Sequence, residues 1–207
     1  MAYADLALQD QNLFLERFLG PIQFVVFLIA TVLLVWLYRY QIKNSYKKFM
    51  VNFVDNMKLI FKYYLIAQVF NIILSLFFVE VLKIDTTSQN QMIVEDVLSK
   101  VPLLMAIVTV FFAPIIEEIV FRGGLFLGIR NALGEFPAVL ISSVTFGAIH
   151  VLPQLGGGHP LEILFILPYS LLGYYMVKSV QKTDSLMGGI AFHFVNNLIA
   201  TVLVLFL

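Results

Sequence analysis

The sequence contains no cysteine, which excludes disulfides, thiolate metal sites and a cysteine nucleophile, and leaves the redox compartment unmarked. Charge is scarce as well. Only 13% of the 207 residues are Asp, Glu, Lys or Arg, and the formal net charge is zero, against about a quarter charged in ordinary soluble domains. No basic run is long enough to grip nucleic acid, and Lys43, Lys47 and Lys48 read instead as a loop beside a membrane. Two protease signatures are missing too. There is no GxSxG, and the apolar segment around His193 has no serine, which argues against a serine protease or a rhomboid-like dyad. There is no HExxH, the helical zinc pattern.

Apolar residues make up 60% of the chain, 20 of them phenylalanine, and the mean hydropathy is +0.92. Such a surface has to be solvated by lipid. Stretches near 21–40, 59–82, 103–131, 136–153, 161–179 and 186–207 each approach the roughly 20 apolar residues that a spanning helix needs. Helices are expected because each satisfies its backbone hydrogen bonds internally within the bilayer. The sequence therefore predicts an all-α, polytopic protein of about six spans, forming one integral membrane domain over residues 1–207 in a cell membrane.

Asp5, Asp10, Glu16 and Arg17 set the first twenty residues apart from a cleaved signal peptide; an interfacial amphipathic helix is expected there. The polar stretch KIDTTSQNQMIVEDVLSK, residues 83–100, reads as a loop outside the bilayer with a short surface helix in its middle. Arg39, Lys43, Lys47, Lys48 and Lys58, then Arg130, then Lys178 and Lys182 all fall on one side of a six-span topology. The excess of basic residues marks the cytoplasmic side, so both termini are expected outside the cytoplasm.

Residues 113–124, APIIEEIVFRGG, put ionised groups where each costs about 2.5–3.5 kcal/mol on insertion scales. Glu118 and Arg122 stand four apart and are expected to pair along one face. Glu117, rotated about 100° from Glu118, has no local cation. Pro114 removes a backbone donor and is expected to kink the helix and leave a carbonyl near Val110 free, while Gly123 and Gly124 permit another helix to approach. Glu117 and His150 each lie about 16 residues from a turn near Leu133 and Gly134, so an antiparallel pair brings them to one depth. Phe146 and His150 share a face of the fourth span; His193 and Asn197 share one on the sixth, after Gly188 and Gly189. Three helices thus bring polar groups toward one pocket.

Taken alone, each group has an ordinary explanation: a buried histidine satisfied by hydrogen bonds, or a structural ion-pair network. His159 reads as a loop residue beside a pocket mouth, Gln68 and Asn71 as interhelical hydrogen-bonding groups, Tyr169 and Ser170 as packing at a kink after Pro168, and Glu80 as a residue that reaches the interface.

The order EExxxR, FxxxH, HxxxN, carried by Glu117, Glu118 and Arg122, then Phe146 and His150, then His193 and Asn197, resembles the CPBP family of intramembrane proteases. This family, also called Abi or CAAX protease and bacteriocin-processing, includes the type II CAAX prenyl endopeptidases. The resemblance covers roughly residues 100–207 as a catalytic core, with 1–99 as N-terminal helices of the same bundle, and the chain is most like the bacterial members. It implies an endopeptidase that cleaves a membrane-associated peptide or lipoprotein at the bilayer, with no nucleic-acid partner. Glu117 is then expected to act as general base with His150 orienting the same water, and His193 and Asn197 to hold the oxyanion. Glu118, Arg122 and Phe146 are supporting residues. No cofactor is required on that reading, although Glu117, His150 and His193 could alternatively ligate zinc. A non-catalytic peptide-binding or bacteriocin-immunity protein using the same pocket is the main alternative. A cation transporter is weaker, because the polar groups mark no path across the bilayer.

Overall fold

The computed structural model describes residues 2–84 and 87–206, with side chains from residue 18 onward. Among these residues, six helices are long and apolar enough to cross a membrane, in line with the expected polytopic all-α protein. Helix α1 runs Ala2–Leu37. The amphipathic character expected of the first twenty residues rests largely on side chains outside the described set. Helix α2 (Arg39–Val51) is polar, and α3 (Phe53–Phe77) continues through a π-helical turn, Phe78–Leu82. It stops where Lys83 takes a left-handed conformation, φ 55°.

Helix α4 (Gln89–Lys100) is the expected surface helix; Ser88 caps it by accepting a hydrogen bond from the Gln91 amide, as a serine N-cap should. Pro102 opens α5, which spans Pro102–Leu133. Gly134, at φ 89°, turns the chain back into α6 (Glu135–Gly156). A 3-10 segment, Pro160–Phe165, leads into α7 (Ile166–Thr183), and α8 is Leu186–Phe206.

The central core is built from Ile60, Tyr64, Phe121, Phe146, Met176 and Phe192, drawn from α3, α5, α6, α7 and α8. Outward, the spans expose apolar side chains such as Leu33, Trp36, Ile72 and Leu203, as lipid-facing helices do. Helix α1 packs at the edge, where Phe24 meets Phe112 of α5 with ring centroids 5.5 Å apart. The basic turns share one end of the bundle: Lys48 pairs with Asp184 at 2.6 Å, and Gln181 donates to Glu135.

Pro114 is accommodated by a change of helical register within a continuous helix. Residues Val108–Phe112 form a π turn, and the Ala113 amide donates to the Val108 carbonyl, five residues back. In an α-helix that amide would have served Thr109. The next donor in the π register belongs to position 114, a proline, which has none. The orphaned carbonyl is therefore that of Thr109, one residue before the expected Val110. A second π segment, Ile119–Phe126, follows the two glutamates; such insertions recur at functional sites.

Candidate active site

The two adjacent acids divide as their helical rotation requires. Glu118 is fully buried and accepts from Arg122 at 2.7 Å, whereas the Glu117 side chain keeps 23% exposure. Arg122, also fully buried, donates in addition to the Gly173 carbonyl at 2.9 Å and lies 4.7 Å from the Phe146 ring centre. Phe146 contacts the rings of His150 and His193 at 4.7 and 5.7 Å. Phe146 thus packs between Arg122 and the two histidines.

The antiparallel pairing of α5 and α6 brings Glu117 and His150 together as their distance from the Gly134 turn implies. Glu117 Oε2 lies 3.8 Å from His150 Nε2 and 3.9 Å from His193 Nε2, and Oε2 is buried with no hydrogen-bond partner. The histidine tautomers follow from the other ring atoms. His150 Nδ1 is 2.8 Å from the Phe146 carbonyl, which only accepts, so Nδ1 carries the proton. His193 Nδ1 is 3.2 Å from Glu118 Oε1, so it too is a donor. Both Nε2 atoms face the same carboxylate oxygen.

The link from Glu118 to His193 has no counterpart in the sequence analysis, which paired Glu118 with Arg122 alone. Its signal is Gly189, four residues before His193: a Cβ there would collide with Glu118 Oε2 and stand 2.9 Å from Val180 Cγ2. Only glycine lets α8 come close enough.

Asn197 is on the same face as His193 but is already engaged. Its Nδ2 donates to the Thr109 carbonyl at 2.9 Å, and its Oδ1 accepts from Asn196, which in turn accepts from Gln68 at 3.0 Å. This chain fixes the orientation of the amide and leaves one N–H of Asn197 for another acceptor. Gln68 thus bridges helices as expected; Asn71 does not, since its Oδ1 is buried without a partner.

Tyr169 is more than packing at a kink. Its ring stacks on His150 at 4.7 Å with 19° between planes, and its hydroxyl bonds Ser88 at 2.8 Å and accepts from Asn90 at 3.2 Å. It ties the N-terminus of α4 to a pocket histidine. A single tyrosine after a proline carries no sequence pattern that would announce this. His159 and Glu80 stay outside the pocket: the first is an exposed loop residue, the second pairs with Lys83 at 3.6 Å.

Glu117, His150, His193, Asn197 and Phe146 line one cavity of about 330 Å³. The oxygen and nitrogens suit zinc in kind. Tetrahedral ligands at zinc distances stand about 3.3 Å apart, less than the 3.8 and 3.9 Å seen here, and among the described residues no group of three His, Asp or Glu is arranged to hold a metal ion. As placed, the Glu117 oxygen stands somewhat farther from each histidine nitrogen than zinc ligands stand from one another.

Residues 99–199 match the family of type II CAAX prenyl endopeptidase Rce1-like proteins. The resemblance seen in the three motifs is thereby shown, and the Rce1-like stretch contains every residue of those motifs. The chain is also 32% identical over 110 residues to a Bacillus subtilis protein designated "Putative membrane peptidase YdiL", covering 53% of this chain and 41% of that protein. An uncharacterized protein of Mycoplasma capricolum is 31% identical over 107 residues, 50% of this chain and 28% of its own length. Each alignment thus spans less than half of the relative. No solved structure matches the chain.

Proposed function

We propose that this protein is an intramembrane endopeptidase that hydrolyses a membrane-associated peptide with water activated by Glu117. The observation that carries the proposal is the unpartnered Glu117 Oε2 facing two histidine Nε2 atoms at 3.8 and 3.9 Å. In the neutral His150 tautomer both Nε2 and Oε2 are acceptors, so what fits between them is a donor. A water about 2.8 Å from each would give one proton to Glu117 and direct a lone pair into the cavity.

The reaction then runs through the chain's own groups. Water attacks the scissile carbonyl carbon as Glu117 takes its proton. The developing oxyanion is held by the spare N–H of Asn197 and by His193 Nε2. For His193 to donate there it must carry a proton on both nitrogens; Glu118 at 3.2 Å is the counter-ion for that imidazolium. The two acids and the two cations, Arg122 and His193, then sum to zero buried charge. Collapse of the tetrahedral species breaks the C–N bond, Glu117 passes its proton to the leaving amine, and a new carboxylate and amine depart. Preorganised donors of this kind are worth about 10²–10³ in rate each.

The Rce1-like match and the relative named as a membrane peptidase support hydrolysis over simple binding. With the basic end of the bundle in the cytoplasm, both termini and the α4 side of the cavity face outward. The test is to compare membrane-associated peptides in cells expressing wild type and Glu117→Gln. Peptides that accumulate uncut only in the variant identify the substrate; identical profiles, with a phenotype that survives both Glu117→Gln and His150→Ala, would establish the non-catalytic binding protein.

A further inference from the structure

Glu117, His150, His193 and Asn197 all come from the Rce1-like stretch 99–199, but the cavity has a second wall that does not. Gln23 and Phe27 of α1, with Asn90, Gln91, Val94 and Leu98 of α4, line the same cavity as Glu117 and His150. Most of these side chains are accounted for. Asn90 donates to Tyr169, Gln91 donates to Glu95, and Leu98 is buried against Met105 and Val108. Gln23 is the exception. It is a carboxamide inside a membrane span, Phe18–Leu37, and has no hydrogen-bond partner among the described residues.

A carboxamide in a span ordinarily bonds a neighbouring helix, as Gln68 does here with Asn196. Gln23 makes no such bond among the described residues and lines the cavity. Its amide offers donors and an acceptor, the complement of the N–H and C=O of a peptide unit. A substrate in helical form has those groups spent on itself; an extended one presents them, as in strand addition. We propose that Gln23 binds the backbone of an extended substrate segment opposite Glu117, and that the cavity-lining residues of α1 and α4, all of which precede the shared family stretch, set which peptides are cut. This rests on the protease function proposed above and assigns its selectivity to a separate part of the chain. It also divides labour in a testable way: the Rce1-like helices determine the chemical step, the other wall determines substrate choice.

The full-length protein in liposomes is incubated with a proteome-derived peptide library, and cleavage sites and initial rates are read by mass spectrometry for wild type, Gln23→Leu, Val94→Trp and Glu117→Gln. One lost backbone hydrogen bond corresponds to about 2- to 10-fold in apparent affinity. Gln23→Leu is expected to raise KM for the best peptide by that factor with kcat nearly unchanged, and Val94→Trp to redistribute the preferred residues around the cut. Unchanged KM and unchanged site preferences in both variants would overturn the inference while leaving the protease intact. A kcat loss without a KM change in Gln23→Leu would also overturn it. No cleavage by wild type above Glu117→Gln would overturn the protease and the inference together. Thermal unfolding of each variant in detergent identifies any that fails to fold, and Gln23→Asn, which keeps the carboxamide on a shorter stem, then replaces Gln23→Leu with an intermediate KM expected.

Discussion

His193 Nδ1 stands 3.2 Å from Glu118 Oε1 while Arg122 holds the same oxygen from the other side at 2.7 Å. One carboxylate oxygen is therefore shared by a fully buried structural cation and a pocket imidazole. Removing one partner of a buried pair leaves an uncompensated charge and costs about 3–5 kcal/mol. Glu118→Gln and Arg122→Met are each expected to lower stability by that order, and the double variant by less than the sum, because the second change removes the charge that the first left bare. Thermal unfolding in detergent measures the coupling; strict additivity would contradict a shared ion pair.

Tyr169 offers a separate test of how His150 is held. A stacked aromatic pair contributes about 0.5–1.5 kcal/mol, so Tyr169→Leu should slow cleavage by roughly 2- to 10-fold at kcat with little change in KM. Tyr169→Phe keeps the ring and loses only the hydroxyl bonds to Ser88 and Asn90. It should fall between wild type and Tyr169→Leu. If the phenylalanine variant is the slower of the two, the hydroxyl rather than the stacking is what matters.

Two glycines make a matched pair for the approach of α8 to α5. At Gly189 a Cβ would run into Glu118 Oε2, whereas at Gly128 nothing lies within 4 Å. Gly189→Ala must push the helices apart or displace Glu118, and overpacking of this kind costs about 1–3 kcal/mol. Gly128→Ala should be neutral or stabilising by up to about 1 kcal/mol. Activity should be lost in the first and kept in the second.

Zinc and water chemistry separate on chelation. The proposed activation of water by Glu117 predicts that cleavage persists after exhaustive treatment with a chelator, and that purified active protein holds no stoichiometric zinc by elemental analysis. Stoichiometric zinc lost together with activity, and both restored on adding it back, would contradict the water mechanism.

Much of this arrangement was legible in the sequence because it depends on helical periodicity and depth. The six spans, the Glu118 to Arg122 pair and the meeting of Glu117 with His150 follow from counting residues along rigid rods of known rise. What escaped depends on register or on rotation between helices. The orphan carbonyl moved from Val110 to Thr109 because a π turn adds a residue, which composition does not reveal. The bond from Glu118 to His193 needs the azimuth of α8 against α5, and Gly189 hints at it only once the close approach is known. Tyr169 and Gln23 reach the pocket from helices whose neighbours are set by the whole bundle, so neither stood out as a local pattern.

The most direct measurement is the initial rate at which purified protein in liposomes cleaves its best peptide, for wild type and for Glu117→Gln verified as folded by its unfolding temperature. General-base catalysis is worth about 10²–10⁴-fold, and because Glu117 also returns the proton to the leaving amine, a loss toward the upper end of that range is expected. A Glu117→Gln protein that is folded and cuts within a few-fold of wild type would contradict the assignment of the water-activating base.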